Sequence, residues 1–229
     1  MDQNTKIIAH RGVFDNQKIP ENSIASFKKA LLFSYAIELD VQLTKDNVLV
    51  VFHDDSLERM THKNGFVQEK TYAEFQKLSL LNTKEKIPTL KEVLNLVHGK
   101  VFLDIEIKPT KRIVETCNIL LSELSHYSNY SLKSFHPKIV RYLRVHYPQV
   151  QVGYLISNHY QNRFYQWSLA SYFMIHYSKA EFLSIHKKLM KTKKFQKLKR
   201  KYPISVWTVK TKEEMKDSSI QYICNCLPY

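Results

Sequence analysis

The sequence predicts an α/β fold of the (β/α)8, or TIM, barrel class, with a small insertion after the second strand. Strand-like and helix-like segments alternate along the 229 residues. The strand-like segments are short apolar runs rich in Ile and Val, as in parallel strands buried on both faces. The chain has only 4 glycines and no glycine-rich strand-to-helix turn, which disfavours a doubly wound nucleotide-binding sheet. A closed barrel of parallel strands is therefore favoured.

The barrel strands are predicted from period and composition. They cover residues 7–10, 36–43, 101–107, 131–135, 150–156, 172–176, 204–209 and 221–224. Residues 48–52 follow the turn Lys45-Asp46-Asn47 and are predicted to pair back as a hairpin arm. Amphipathic spacing predicts helices between the strands. They cover residues 24–33, 89–97, 111–127, 137–146, 162–169, 179–200 and 211–216.

The remaining segment, residues 54–88, has little periodicity and is predicted to form an inserted lobe. No linker rich in Pro, Gly or Ser divides the chain, so we expect a single domain over residues 1–229. The first six residues lack the layout of a signal peptide, and no apolar run is long enough to span a membrane. The 3 cysteines do not suit a disulfide framework. These features favour a cytoplasmic protein.

The formal net charge of +14 is concentrated in a basic segment, residues 187–201, which has nine Lys or Arg residues and no acid. We expect this segment to be the solvated face of a surface helix. The apolar side chains available for its buried side are Phe182, Leu183, Leu189, Met190 and Leu198. The alternative is a patch that attracts anionic lipid or nucleic acid. We expect no nucleic-acid partner, and weak contact with an anionic membrane surface stays open.

Ionisable residues lie at the ends of several predicted strands, where burying a charge is costly. Since the carboxyl ends of barrel strands share one edge, these side chains should form one site. Glu38 and Asp40 are two apart and point to the same side of one strand. With Glu106 they form an acidic set that needs a cation to stay ionised. An all-oxygen set suits one hard divalent ion, Mg²⁺ or Ca²⁺.

The other candidate residues suit the cleavage of an anionic substrate. His10 and His53 can act as general acid and general base near neutral pH. Arg11 and Lys108 add positive charge that can bind phosphate oxygens. A metal, two cationic side chains and two histidines together favour a phosphodiester substrate.

Longer motifs carry a family resemblance over essentially the whole chain. In order they are His10-Arg11-Gly12, Pro20-Glu21-Asn22-Ser23, Glu38-Leu39-Asp40, Val50-Val51-Phe52-His53-Asp54, Leu57, Arg59, Pro88-Thr89-Leu90, Glu92-Val93-Leu94, Glu106-Ile107-Lys108, Ser134-Phe135 and Trp207-Thr208-Val209. At these residues the sequence resembles the glycerophosphodiester phosphodiesterase family. The resemblance implies a (β/α)8 barrel with an inserted lobe. It also implies a hydrolase of glycerol and lipid metabolism, which converts glycerophosphodiesters to sn-glycerol 3-phosphate and an alcohol.

Roles follow from the resemblance by position. The implied metal ligands are Glu38, Asp40 and Glu106, the acid–base pair is His10 and His53, the phosphate ligands are Arg11 and Lys108, the glycerol end of the pocket is lined by Trp207, and the supporting residues are Asn22 and Asp54. In the family, the substrate hydroxyl next to the phosphate is thought to attack first and form a cyclic intermediate that water opens. Which histidine begins as base stays open.

The carboxyl-terminal end departs from the family pattern. Lys210 stands where Asn is common, and the last strand ends in Cys224-Asn225-Cys226-Leu227-Pro228. These departures bear on substrate choice. Two alternatives remain: a lysophospholipase D-like phosphodiesterase at a membrane surface, and a non-enzymatic binder of anionic lipid or nucleic acid through residues 187–201.

Overall fold

The centre of the molecule is a closed barrel in which eight strands run parallel. The computed structural model describes residues 7–157 and 171–225. The barrel strands are β1 (Ile7–His10), β2 (Ala36–Leu43), β4 (Leu103–Ile107), β5 (Tyr130–Ser134), β6 (Val152–Ile156), β7 (Phe182–His186), β8 (Ile204–Val209) and β9 (Gln221–Cys224). The barrel closes because β1 pairs with both β2 and β9. The predicted fold class is confirmed.

One further strand, β3 (Leu49–Val51), pairs with β2 in the antiparallel direction, as the predicted hairpin arm requires. The loop after β3 carries two short helices, α2 (Glu58–Thr61) and α3 (Tyr72–Phe75). The apolar residues of this region form a core separate from the barrel core. They are Val50, Phe52, Leu57, Met60, Val67, Phe75, Leu80 and Ile87. A separate apolar core agrees with the prediction that residues 54–88 form an inserted lobe.

Several helices that connect the strands are preceded by residues that favour the N-terminus of a helix. They are α1 (Ile24–Leu32), α4 (Leu90–Val97), α5 (Ile113–Glu123), α6 (Pro137–His146), α7 (Tyr172–Ser178) and α8 (Lys193–Lys199). The side chains of Ser23 and Thr89 cap α1 and α4 by accepting hydrogen bonds from the backbone N–H groups of Ser26 and Glu92, both at 3.1 Å. No helix in the described part of the chain is long and apolar enough to cross a membrane.

The sequence prediction is wrong between residues 172 and 200. The predicted strand 172–176 is helix α7, because the Ser171 side chain accepts a hydrogen bond from the backbone N–H of Met174 and starts a helix there. The predicted helix 179–200 is interrupted. It contains β7, a 3₁₀ turn (Lys187–Leu189) and α8. Strand β7 is buried throughout and pairs with β6 and β8, so tertiary pairing decides its conformation.

Two other predicted helices differ in outcome. Residues 211–216 form only a 3₁₀ turn, Lys212–Glu214. Residues 162–169 lie outside the described residues. The five apolar residues that were predicted to form the buried side of one helix do not lie in a single helix. Phe182 and Leu183 are buried in β7 and Leu198 in α8, while Leu189 and Met190 are half-buried against the barrel core.

Candidate active site

Three buried carboxylates meet inside the barrel on neighbouring strands. Glu38 and Asp40 lie two residues apart on β2, and Glu106 of β4 is the register partner of Asp40. One oxygen from each carboxylate can be chosen so that all lie within 4.8 Å of one another. All three residues are buried. The arrangement brings together the acidic set predicted from the strand ends, and this cluster could hold a metal ion.

The electrostatics of this acidic cluster fit a cation. Burial and the neighbouring carboxylates Asp40 and Glu106 raise the pKa of Glu38 to about 8, against the opposing charge of Lys133. Asn22 donates a hydrogen bond from Nδ2 to Asp40 Oδ2 at 2.9 Å. The other amide atom of Asn22, Oδ1, is buried and has no hydrogen-bond partner within the described ranges. An all-oxygen donor set with a spare acceptor fits a hard divalent ion.

The two candidate histidines each have one ring nitrogen fixed by a partner. His10 ends β1 opposite Glu38 in register, and its Nδ1 lies 2.7 Å from Asn225 Oδ1. Burial lowers the pKa of His10 to about 3. His53 follows β3, and its Nδ1 lies 2.5 Å from Asp54 Oδ1. Since both partner oxygens accept, Nδ1 carries the proton in each ring, which leaves Nε2 for proton transfer.

Two cationic side chains border the acidic cluster. Arg11 pairs with Glu21 through Nη1 at 2.7 Å, and its Nε lies 3.4 Å from Asp40 Oδ2. Lys108 Nζ lies 2.8 Å from Glu106 Oε1 and 3.5 Å from Asp40 Oδ1. Burial alone would lower the pKa of Lys108, but these two carboxylates raise it well above its usual range. Both cations therefore stay charged beside the cluster.

An aromatic wall stands at the ends of β7 and β8. The Trp207 ring meets those of Phe135 and His186 edge-on, with centroid distances of 5.6 and 4.9 Å. The indole Nε1 is buried and has no hydrogen-bond partner in residues 7–157 and 171–225. The Lys210 side chain is exposed, while its backbone N–H donates to Glu214 Oε2 at 2.8 Å. Trp207 thus lines a wall beside the strand ends, and Lys210 points to solvent.

The comparisons with known proteins agree with this geometry. The model of the glycerophosphoryl diester phosphodiesterase family matches residues 10–223. The chain belongs to this family. A glycerophosphodiester phosphodiesterase of Caldanaerobacter subterraneus is 39% identical over 158 residues, which cover 59% of this chain and 64% of the relative. The match thus spans less than two thirds of that relative's length.

Solved structures show the same fold. A phosphodiesterase of Oleispira antarctica, in complex with the product sn-glycerol-3-phosphate, has a TM-score of 0.81 at 22% identity. The match covers 96% of this chain and 92% of that one. A glycerophosphodiester phosphodiesterase of Parabacteroides distasonis has a TM-score of 0.77 at 25% identity, covering 97% of this chain and 93% of its own.

The sequence prediction missed a buried ion pair beneath the acidic cluster. Lys133 Nζ on β5 lies 2.6 Å from Asp104 Oδ2 and 3.2 Å from Glu38 Oε1. Ser131 donates a hydrogen bond to Asp104 Oδ1 at 2.9 Å. A signal was present, because Ser131 and Lys133 are two apart on a strand, as Glu38 and Asp40 are. The pair supplies a fixed positive charge to one of the candidate metal ligands.

A chain of ion pairs joins the loop after β1 to the inserted lobe. Glu21 binds Arg11 and also Arg59 of α2, whose Nη2 lies 2.7 Å from Glu21 Oε1. Arg59 Nε lies 2.5 Å from Asp54 Oδ2, and Asp54 in turn holds His53. The sequence resemblance included Glu21 and Arg59 without giving either a role. Both act through their neighbours, since they position Arg11 and Asp54.

Proposed function

We propose that the chain hydrolyses glycerophosphodiesters to sn-glycerol 3-phosphate and an alcohol, with one divalent ion, Mg²⁺ or Ca²⁺. The observation that carries the proposal is the meeting of Glu38, Asp40 and Glu106 within 4.8 Å, beside two histidines and two cations. Membership of the family supports the same reaction. The product complex of the Oleispira antarctica protein supports a glycerol phosphate product.

The metal would be held by Glu38, Asp40 and Glu106, with Asn22 fixing the orientation of Asp40. When bound, a divalent ion supplies Lewis acidity at a phosphoryl oxygen and neutralises developing negative charge. The ammonium group of Lys108 contacts both Asp40 and Glu106, and it would bind a phosphate oxygen beside them. Arg11 would bind a second oxygen, and its contacts with Glu21 and Asp40, which hold the guanidinium in position, support this role.

Proton transfer would use the Nε2 atoms of His10 and His53. In the first step, one imidazole accepts the proton of the substrate hydroxyl that attacks phosphorus, and the other donates a proton to the leaving alcohol. Water then opens the resulting cyclic phosphodiester, with the two roles exchanged. After the two steps, each histidine has returned to the protonation state in which it began. Asp54 holds His53 in the tautomer this requires, and Trp207 bounds the glycerol end.

A screen of glycerophosphocholine and glycerophosphoethanolamine tests the proposal, with release of glycerol 3-phosphate as the measurement. We expect activity with Mg²⁺ or Ca²⁺, loss with EDTA, and a loss of about 10²-fold or more in His10→Ala. The matched control is His126→Ala, because His126 is exposed and outside the site. Full activity in EDTA and in His10→Ala would overturn the proposed mechanism.

A lysophospholipid substrate is the second candidate, and one observation favours it. Phe173, at the start of α7, is 70% exposed. The acyl chain of a lysophospholipid would bring an apolar surface that could contact this ring. Comparing turnover of glycerophosphocholine and lysophosphatidylcholine separates the two substrate classes. Preference for the acylated substrate would assign the lysophospholipase D-like reaction to the same residues.

A further inference from the structure

A basic and aromatic surface lies on the edge of the barrel that carries the acidic cluster. We call it the rim patch and define it by Tyr172, Phe173, Lys188, Lys191 and Lys193, all of which are exposed. The two aromatic residues begin α7, Lys188 and Lys191 lie between the end of β7 and α8, and Lys193 is the first residue of α8. The rim patch is therefore formed by two consecutive connections on one side of the barrel.

Two contacts fix the position of this patch. His186, the last residue of β7, meets the Trp207 ring at 4.9 Å, and the turn Lys187–Leu189 follows it directly. Lys194 Nζ lies 5.2 Å from the centre of the Tyr172 ring, which brings the start of α8 against the start of α7. The patch thus borders the aromatic wall of the candidate active site.

The charge of the rim patch is poorly compensated. Lys187 and Lys199 of the basic segment pair with Glu214 and Asp217. Within the described residues, Lys188, Lys191 and Lys193 have no carboxylate partner at ion-pair distance. On the neighbouring connection, Tyr172 is 50% exposed beside Lys194, and Phe173 is 70% exposed with its ring stacked on that of Tyr177 at 6.5 Å. Exposed aromatic carbon and uncompensated lysines on neighbouring connections of one edge are the composition of a surface that binds at a lipid interface.

We propose that the rim patch docks the catalytic edge onto an anionic phospholipid bilayer. The lysines contact headgroup phosphates, and the Phe173 ring enters the boundary between headgroups and acyl chains. A nucleic acid would satisfy the lysines alone, since its phosphate backbone offers no apolar layer to Phe173. The proposal goes beyond the hydrolysis reaction, because it concerns where the chain binds and not what it cleaves.

Vesicle co-sedimentation tests the proposal with the full chain. The probes are vesicles of phosphatidylcholine alone and vesicles that also contain phosphatidylglycerol, at low and high salt. The first variant is the triple Lys188→Glu/Lys191→Glu/Lys193→Glu, and the second is Phe173→Ser. The matched control changes net charge equally at exposed lysines outside the patch. It is the triple Lys28→Glu/Lys100→Glu/Lys179→Glu.

We expect salt-sensitive binding to the anionic vesicles only. The rim triple should lower the partition coefficient at least about tenfold, and Phe173→Ser roughly fivefold, while the control triple stays near wild type. Thermal unfolding shows that each variant is folded.

Three results would overturn this assignment. One is the absence of binding to anionic vesicles at low salt. Another is an equal loss in the rim and control triples, which would show that total charge alone drives adsorption. The last is tighter binding to an oligonucleotide than to vesicles, with Phe173→Ser without effect on either, which would assign the patch to a polyanion. Since every readout is binding, failure of the proposed hydrolysis would leave this test intact.

Discussion

Removing one member of the buried Lys133–Asp104 pair should destabilise the fold strongly. Lys133→Met removes the ammonium group that lies 2.6 Å from Asp104 and 3.2 Å from Glu38. Both partners of the Lys133–Asp104 pair are almost fully buried, with side-chain exposures of 1% and 3%. Removing one member of such a pair leaves an uncompensated buried charge and costs about 3–5 kcal/mol. We therefore expect the free energy of unfolding to decrease by that amount.

The double variant Lys133→Met/Asp104→Asn separates charge from packing. It removes the uncompensated carboxylate while keeping an acceptor for the Ser131 hydroxyl, and Glu38 can take up a proton because its pKa is already raised. Stability should return to within about 2 kcal/mol of wild type. Urea unfolding at neutral pH measures both effects, with Lys100→Met as the exposed control. A single variant that loses less than about 1 kcal/mol, or a double variant that recovers nothing, would refute the reasoning.

Three further perturbations test other parts of the structure. Hydrogen bonds and charge from two arginines outweigh burial and hold the pKa of Glu21 at about 2, below its usual 4.5. This contribution, at most about 3 kcal/mol, is present above pH 4.5 and lost as pH decreases towards 2. The free energy of unfolding of Glu21→Gln should therefore decrease less steeply than that of wild type as pH decreases over that range. An equal pH dependence in the variant and in wild type would count against the pairing. Asn225→Ala removes the 2.7 Å contact that orients His10 and should lower kcat about tenfold, with KM little changed; equal kcat would mean that the contact does not orient the ring. Gly153→Ala places a Cβ 2.3 Å from the Phe182 ring and should destabilise the barrel by about 1–3 kcal/mol, which a melting temperature equal to wild type would contradict.

The fold and the acidic cluster could be predicted because their signals are local. Glu38 and Asp40 interrupt an apolar strand at a spacing of two, so their shared face follows from strand geometry alone. Their meeting with Glu106 follows from the shared edge of a parallel barrel. Lys133 and Asp104 were not predicted, because each lies within a strand and gains its partner only when β4 and β5 pair. The spacing of Ser131 and Lys133 indicates a shared polar face on β5, but it does not indicate which carboxylate that face will meet.

The error at residues 172–200 has a different physical origin. Tyr172, Phe173 and Ile175 belong to types enriched in strands, yet Ser171 caps a helix there. The segment Phe182–His186 is too short for its period to separate strand from helix. Its burial between β6 and β8 decides the outcome. This prediction therefore failed because the strand pairs with segments that are distant in the sequence, and the local sequence does not indicate that pairing.

The salt-bridge relay from Arg59 through Glu21 to Arg11 has an evolutionary consequence. Through two ion pairs it joins the segment between β3 and α4 to the loop that carries Arg11, the proposed phosphate ligand. The lobe also has its own apolar core, so its outer surface can diverge independently of the barrel. A chimera that exchanges this module between homologues should keep its turnover where the incoming module retains the arginine that contacts Glu21.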